Sequence, residues 1–279
     1  MQVFHQLSDF AEWRDGNAHR VLVPTMGALH EGHLSLCDRA REVAGEDGKV
    51  IVTIFVNPIQ FGPSEDLDAY PRTLEADLAA CRQRGVDAVF APAVDEVYHG
   101  DASVTVREDS LSGGLCGGSR PGHFDGVCTV VAKLFNMTLP QAAVFGEKDY
   151  QQLAVIRRMV RDLNFPIEII GGATVREADG LAMSSRNVYL SKEEREEAPV
   201  LHETLRLAAE KLRAGDYKEA AEAANWIKSE IEKRSSGKID YIQVVHPETL
   251  EPLESDFSEG FRLILATFFG KTRLIDNVG

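Results

Sequence analysis

Two histidines, His30 and His33, stand three residues apart in the stretch PTMGALHEGHLSL, Pro24 to Leu36, with Glu31 and Gly32 between them. Three chemistries suit such a pair: ligation of zinc, a grip on phosphate, or an ordinary solvated helix face. The metalloprotease pattern sets its histidines four apart with glutamate directly after the first. Here the spacing is three and a glycine lies inside the turn, which argues against zinc. Context favours phosphate. RVLVPT (20–25) reads as a buried strand, and HLSLCDRAREVA (33–44) carries Leu34, Cys37, Ala40 and Ala44 at helical spacing. The histidines therefore fall at a strand-to-helix turn, where open α/β sheets bind ligands. A helix N-terminus offers N–H groups and the positive end of a dipole. Gly27 and Gly32 let a nucleotide approach the backbone, and imidazole donates to phosphate oxygens.

The elements that must position these groups follow a strand–helix alternation. VIVTIFV (50–56), VDAVFAP (86–92), AAVFG (142–146) and FPIEIIG (165–171) read as further strands. TLEADLAACRQRG (73–85), FDGVCTVVAKLFNM (124–137) and KDYQQLAVIRRMVRDL (148–163) read as helices. Such alternation predicts an α/β fold with a Rossmann-like, doubly wound parallel sheet. After GGATVREADG (171–180) the pattern changes to helices and then strands. Ser191 with Glu194 predicts a capping box for a helix bearing Leu201, Leu205, Ala208 and Leu212. Asp216 with Glu219 predicts the cap of a second helix, and 239–246, 261–270 and 272–278 read as strands. The expected division is a catalytic domain over 1–174 and a smaller α+β domain over 175–279.

With 30 Lys and Arg against 44 Asp and Glu, the net charge is −14, which argues against general binding to nucleic acid or anionic membranes. Cys37, Cys81, Cys116 and Cys128 form no CxxC pair and read as buried free thiols in a reducing compartment. No apolar run reaches the ~18 residues of a membrane span. The opening MQVFHQLSDFAEW lacks the pattern of a signal peptide, so a cytoplasmic location is expected.

His30-Glu31-Gly32-His33 resembles the HxGH motif of the nucleotidyltransferase superfamily, and LAMSSRN (181–187) resembles its KMSKS loop. FVNPIQFGPSEDLDAYPRT (55–73), RPGHFDGVCTVVAKLFN (120–136) and FGEKDYQQL (145–153) extend the likeness over essentially the whole chain. Together these stretches resemble the pantoate–β-alanine ligase family. The resemblance implies condensation of pantoate with β-alanine at the expense of ATP, through a pantoyl adenylate, giving pantothenate, AMP and pyrophosphate.

The resemblance implies that His33, His30, Lys148 and Arg186 are catalytic, with His33 as proton donor. It implies ATP contacts from Met26, Gly27, Ala28, Leu29, His30, Glu31, Gly32 and His33, then from Gly146, Glu147, Lys148 and Asp149. Val175 would meet adenine, and Met183, Ser184, Ser185 and Arg186 would close over the phosphates. Ser185 takes the place of the second KMSKS lysine, so Ser185 and Arg186 would share its role. Gln60, Gln152 and Asn57 would bind pantoate, with Met26, Phe55 and Phe61 either walling its methyl groups or filling the core. GGSRPGHFDGV (117–127) reads as a loop before a helix, with Arg120 and His123 as candidates for closed-state contacts. Mg²⁺ would arrive with ATP, and Asp77 is the candidate protein ligand, although its neighbours Ala76 and Ala80 offer no ligand atoms. A homodimer through the first domain is implied too. Two alternatives remain at this stage: another HxGH nucleotidylyltransferase, and a nucleotide-binding module without catalysis.

Overall fold

The computed structural model describes residues 1–62 and 67–279; residues 63–66, within the 55–73 stretch, lie outside the described residues. The chain divides into two compact units. One comprises Met1–Glu147 with Val155–Ala173, the other Lys148–Ala154 with Thr174–Gly279.

The first unit is built on six parallel strands: β1 (Gln2–Phe4), β2 (Arg20–Thr25), β3 (Lys49–Ile54), β4 (Ala88–Phe90), β5 (Ala142–Gly146) and β6 (Glu168–Gly172). Its helices are α1 (Leu7–Asp15), α2 (Glu31–Ala44), α3 (Leu74–Gln83), α4 (Val94–Val97), α5 (Leu115–Ser119) and α6 (His123–Thr138). Next in the chain comes α7 (Tyr150–Asp162), whose residues to Ala154 group with the second unit. The strand order β1-β4-β3-β2-β5-β6 reverses direction at β2 and β5, so the topological switch point lies between their carboxyl ends.

The strands are apolar on both faces because helices cover both. Val21, Val23, Val50, Val52 and Val144 meet Leu36, Cys37, Ala40, Leu78 and Cys81 of α2 and α3. The alternate residues Leu22, Ile51 and Phe90 are fully buried on the opposite face, where Phe10 of α1 stacks on Phe90 with centroids 4.8 Å apart. All four cysteines are buried and free. Burial pushes the thiols of Cys37 and Cys128 up to about 12 and that of Cys81 up to about 11, so they are inert hydrophobes.

The second unit carries α8 (Lys192–Glu197), α9 (Val200–Ala214) and α10 (Ala220–Arg234), then an antiparallel sheet of β7 (Lys238–Val245), β8 (Arg262–Phe269) and β9 (Thr272–Val278). Leu201, Leu205, Leu212, Ile227 and Ile231 close over Leu263 and Leu265. Two local expectations need correction. The Ser191–Glu194 box caps only the short α8, and Pro199 starts α9 anew, so the apolar stripe belongs to α9. The cap of α10 is Glu219, boxed with Glu222, whereas Asp216 follows the left-handed Gly215 and donates its N–H to the Lys211 carbonyl. No helix among the described residues is long and apolar enough to cross a membrane.

Candidate active site

β2 ends at Thr25, and the chain reaches α2 through Met26, Gly27, Ala28, Leu29 and His30. His30 is the N-cap residue, in extended conformation. Its Nδ1 accepts the Gly32 N–H at 3.1 Å, and the His30 N–H donates to Nδ1 of His33 at 3.3 Å. The two rings thus form a reciprocal capping box, the place usually taken by a serine or threonine with a glutamate. Their centroids lie 4.1 Å apart. An Nδ1 that accepts from an amide carries no proton, so each neutral ring has its hydrogen on Nε2. The arrangement suits neutral imidazoles acting as Nε2–H donors at a helix N-terminus.

The turn before the histidines is fixed by Asp77 of α3. Its Oδ2 accepts the Ala28 N–H at 3.0 Å and its Oδ1 accepts the Leu29 N–H at 2.8 Å. The Thr73 hydroxyl also donates to Oδ1, at 3.2 Å. These two amides are therefore committed within the chain. The same contacts bear on magnesium. Asp77 is only 2% exposed and both its oxygens are engaged, and among the described residues no group of three or more His, Cys, Asp or Glu is placed to hold a metal ion. The donor set does not fit a magnesium held by Asp77. Glu31, exposed at the start of α2, pairs with Arg84.

Just past β3, Asn57 precedes and Gln60 ends a 3₁₀ turn, Pro58–Gln60, and both are buried. Tyr98 donates to Asn57 Oδ1 at 2.8 Å. Asn57 Nδ2 donates to the Gly126 carbonyl at 3.1 Å and to Gln60 Oε1 at 3.0 Å. Gln60 Nε2 is then left to point at Met26, 3.2 Å from its sulfur. The chain of bonds fixes the polarity of both amides and presents Gln60 as a donor beside Met26. Phe55 is buried, and Phe61 meets Tyr70 edge-on. His123 is buried too, with Nδ1 2.9 Å from the Gln60 carbonyl oxygen and Nε2 2.9 Å from Arg120. Within 117–127, expected as loop, residues to Ser119 belong to α5 and His123 opens α6.

Gly146 closes β5 against Gly172 of β6, and the Glu147 side chain lies over Gly171, where a β-carbon would be 2.7 Å from its Oε1. In the second unit, Lys148 and Asp149 belong to a 3₁₀ turn, with Lys148 Nζ 3.8 Å from Asp149 Oδ2. The Lys148 carbonyl accepts from Asn277 Nδ2 of β9 at 3.0 Å. Gln152 is half-buried on the first turn of α7. Val175 and Met183 flank a hairpin in which the Met183 N–H donates to the Val175 carbonyl at 3.0 Å. Ser184 caps the 3₁₀ turn Ser185–Tyr189, its Oγ accepting from the Arg186 N–H at 3.2 Å.

A family model described as pantoate-beta-alanine ligase matches residues 2–279. The chain belongs to that family. It is 51% identical to the pantothenate synthetase of Akkermansia muciniphila over 93% of this chain and 92% of that one. It is 54% identical to the pantothenate synthetase of Clostridium novyi, over 95% and 92%. The crystal structure of the Thermus thermophilus pantothenate synthetase superposes with a TM-score of 0.92 at 48% identity, covering 100% of this chain and 99% of that chain. A Francisella tularensis pantoate-beta-alanine ligase, solved with β,γ-ATP and β-alanine, gives 0.80 at 35% identity, covering 100% and 97%. This chain is accordingly a ligase that forms a carbon–nitrogen bond.

Several groups that hold the candidate residues within each unit carry no sequence signal of their own. Tyr98 is a lone tyrosine after a four-residue helix. Gly126 was detectable as a glycine inside a helical run of valines. A β-carbon there would lie 2.6 Å from the Gln60 Cα, so α6 meets the Pro58–Gln60 turn only through glycine. Arg176 pairs with Asp276 through two bonds, 2.7 and 2.9 Å, across 100 residues of sequence, and also donates to the Gly180 carbonyl. That pair anchors the hairpin leading to Met183.

Proposed function

We propose that the ligase works in two half-reactions. A pantoate carboxylate oxygen attacks the α-phosphorus of ATP, the bond to the bridging oxygen breaks, and pyrophosphate leaves. The β-alanine amine then attacks the acyl carbon, AMP leaves with the former carboxylate oxygen, and the amine sheds its proton. The observation that carries this reading is the reciprocal histidine box at the carboxyl end of β2. Two neutral rings whose Nδ1 atoms are used as caps carry Nε2–H donors suited to anionic oxygens. Fixed donors of this kind stabilise charge that grows at the α-phosphate without reorganising.

His33 donates to the oxygen on which charge develops, and His30 supports it. Lys148 and Arg186 neutralise phosphate oxygens, with Ser184 and Ser185 as further donors, and Asp149 accepts from the ribose hydroxyls. Gln60 donates to pantoate beside Met26, Asn57 holds Gln60 in place, and Gln152 contributes a second amide. Magnesium would arrive on the phosphates of ATP, where it would neutralise part of their charge. The active form is a cytoplasmic homodimer joined through the first unit. The segment 102–107 supports this: it is rich in β-forming residues, joins neither sheet among the described residues, and leaves Val104 86% exposed.

The test is exchange of labelled pyrophosphate into ATP with pantoate present and β-alanine absent. The two-step reading expects exchange that requires pantoate. Exchange indifferent to pantoate would point to another nucleotidyl transfer, and no exchange alongside AMP formation on adding β-alanine would indicate a concerted ligase.

A further inference from the structure

The turn between β2 and α2 contains two consecutive left-handed residues, Gly27 at φ 84° and Ala28 at φ 51°. Glycine takes this conformation freely, but alanine takes it at a cost that surrounding contacts must offset. Successive N–H groups in such a backbone form a concavity that attracts an anion. In nucleotide sites that anion is commonly a phosphate. Here the chain supplies its own. Asp77 engages the Ala28 and Leu29 amides with one oxygen each, at 3.0 and 2.8 Å, and Thr73 braces Oδ1 from behind. A β-carbon on Gly27 would sit 3.1 Å from Asp77 Oδ2, so the carboxylate is seated directly against the turn.

We infer that Asp77 is the positioning residue of the histidine turn: an internal carboxylate that holds Ala28 left-handed, and so sets where α2 begins and where His30 and His33 aim, rather than a ligand of magnesium. The inference rests on the adenylating role of the two histidines. It removes the Ala28 and Leu29 amides from the phosphate site, because a phosphate there would have to displace a buried carboxylate. The phosphate donors of this turn are then the imidazoles.

The test uses the full-length enzyme, pantoate-dependent pyrophosphate exchange and a magnesium titration. Asp77→Asn keeps the shape but sets an amide N–H against one of the two turn amides. The expected result is a fall of about tenfold or more in the maximal exchange rate, the loss of one or two charged hydrogen bonds, with the half-saturating Mg²⁺ concentration unchanged. Adding Ala28→Gly to Asp77→Asn should restore at least about threefold, because glycine needs no clamp to stay left-handed. A structural or metal-binding carboxylate gives no such rescue. Thr73→Val, which removes only the brace, is the milder variant should Asp77→Asn not fold; it should lower the rate about twofold at the same Mg²⁺ midpoint. A Mg²⁺ midpoint raised about tenfold in any of these variants, or no recovery with Ala28→Gly, would overturn the inference. His33→Ala, run alongside, judges the underlying reading separately: undiminished exchange there would remove the histidine from the chemistry, while the glycine rescue would still decide the clamp.

Discussion

Residues 26–33 of the first unit and residues 183–186 of the second, both of which we propose for the triphosphate, are held very differently. In the first, Asp77 takes two amides, each histidine caps or is capped by the other, and the backbone is strained at Ala28. In the second, the Ser184 cap and a bond from the Asn187 amide to the Ala182 carbonyl close a short 3₁₀ turn whose last residues, Val188 and Tyr189, are exposed. Its firm anchorage lies upstream, where Arg176 meets Asp276. On the proposed reading, the difference teaches that the histidines are fixed for aim and the serine–arginine segment is left adaptable. Donors facing developing charge gain most from being fixed beforehand. Segments that must admit and release a ligand come from the less stable parts of a fold.

The largest effect should come from the fixed region. His33→Ala should lower pantoate-dependent pyrophosphate exchange by about a thousandfold with little change in thermal stability, as expected for a proton donor to developing charge; a loss under about tenfold would remove the contrast. Next is the anchor of the adaptable region. Arg176→Met leaves Asp276 buried without its cation and should cost the second unit about 3 kcal/mol in denaturant unfolding. A cost near zero would mean that the hairpin is held by other contacts. Gln60→Ala should raise the pantoate KM about tenfold and leave the ATP KM unchanged, since it removes one oriented donor. Ser184→Ala should cost about 1 kcal/mol or less locally, a lost cap, and act on the ATP KM more than on stability.

The smallest effect concerns pH and again belongs to the second unit. Burial, followed by the nearby Arg176 guanidinium, holds the His202 ring below its ordinary range, although Asp276 Oδ2 lies 3.9 Å from Nδ1. That Nδ1 is buried without a hydrogen-bond partner among the described residues. As pH falls through about 6.5 the unfolded chain takes up a proton that the folded one still refuses. The unfolded state then binds more protons, so stability declines as pH falls and levels off only below the folded value. His202→Gln should flatten that decline in a series of thermal unfolding curves, and an unchanged slope would assign it to other groups.

The same contrast explains what the sequence made legible. The strand-to-helix turn with His30 and His33 could be read because period, glycines and motif coincide within a dozen residues. Sheet type and most elements followed from apolar periodicity, since every central strand is buried on both faces. The breaks came where local rules compete: Pro199 splits a helix that Ser191 begins, and Glu219 replaces Asp216 as a cap. The three-residue β1 is too short to show a period. Positioning groups were hidden for a different reason. Asp77, Tyr98 and the Arg176–Asp276 pair act across tens of residues, through bonds that no local pattern encodes.

The most direct test of the aimed histidines is their tautomeric state. Two-bond proton–nitrogen correlation spectra of the imidazoles, assigned with His30→Asn and His33→Asn variants, report which ring nitrogen bears the proton. The account predicts neutral rings at mildly alkaline pH, with Nδ1 unprotonated and hydrogen-bonded and the proton on Nε2 in both. A proton on Nδ1 of either ring, or a doubly protonated His33 under those conditions, would contradict it, because neither state can accept the amide that caps α2.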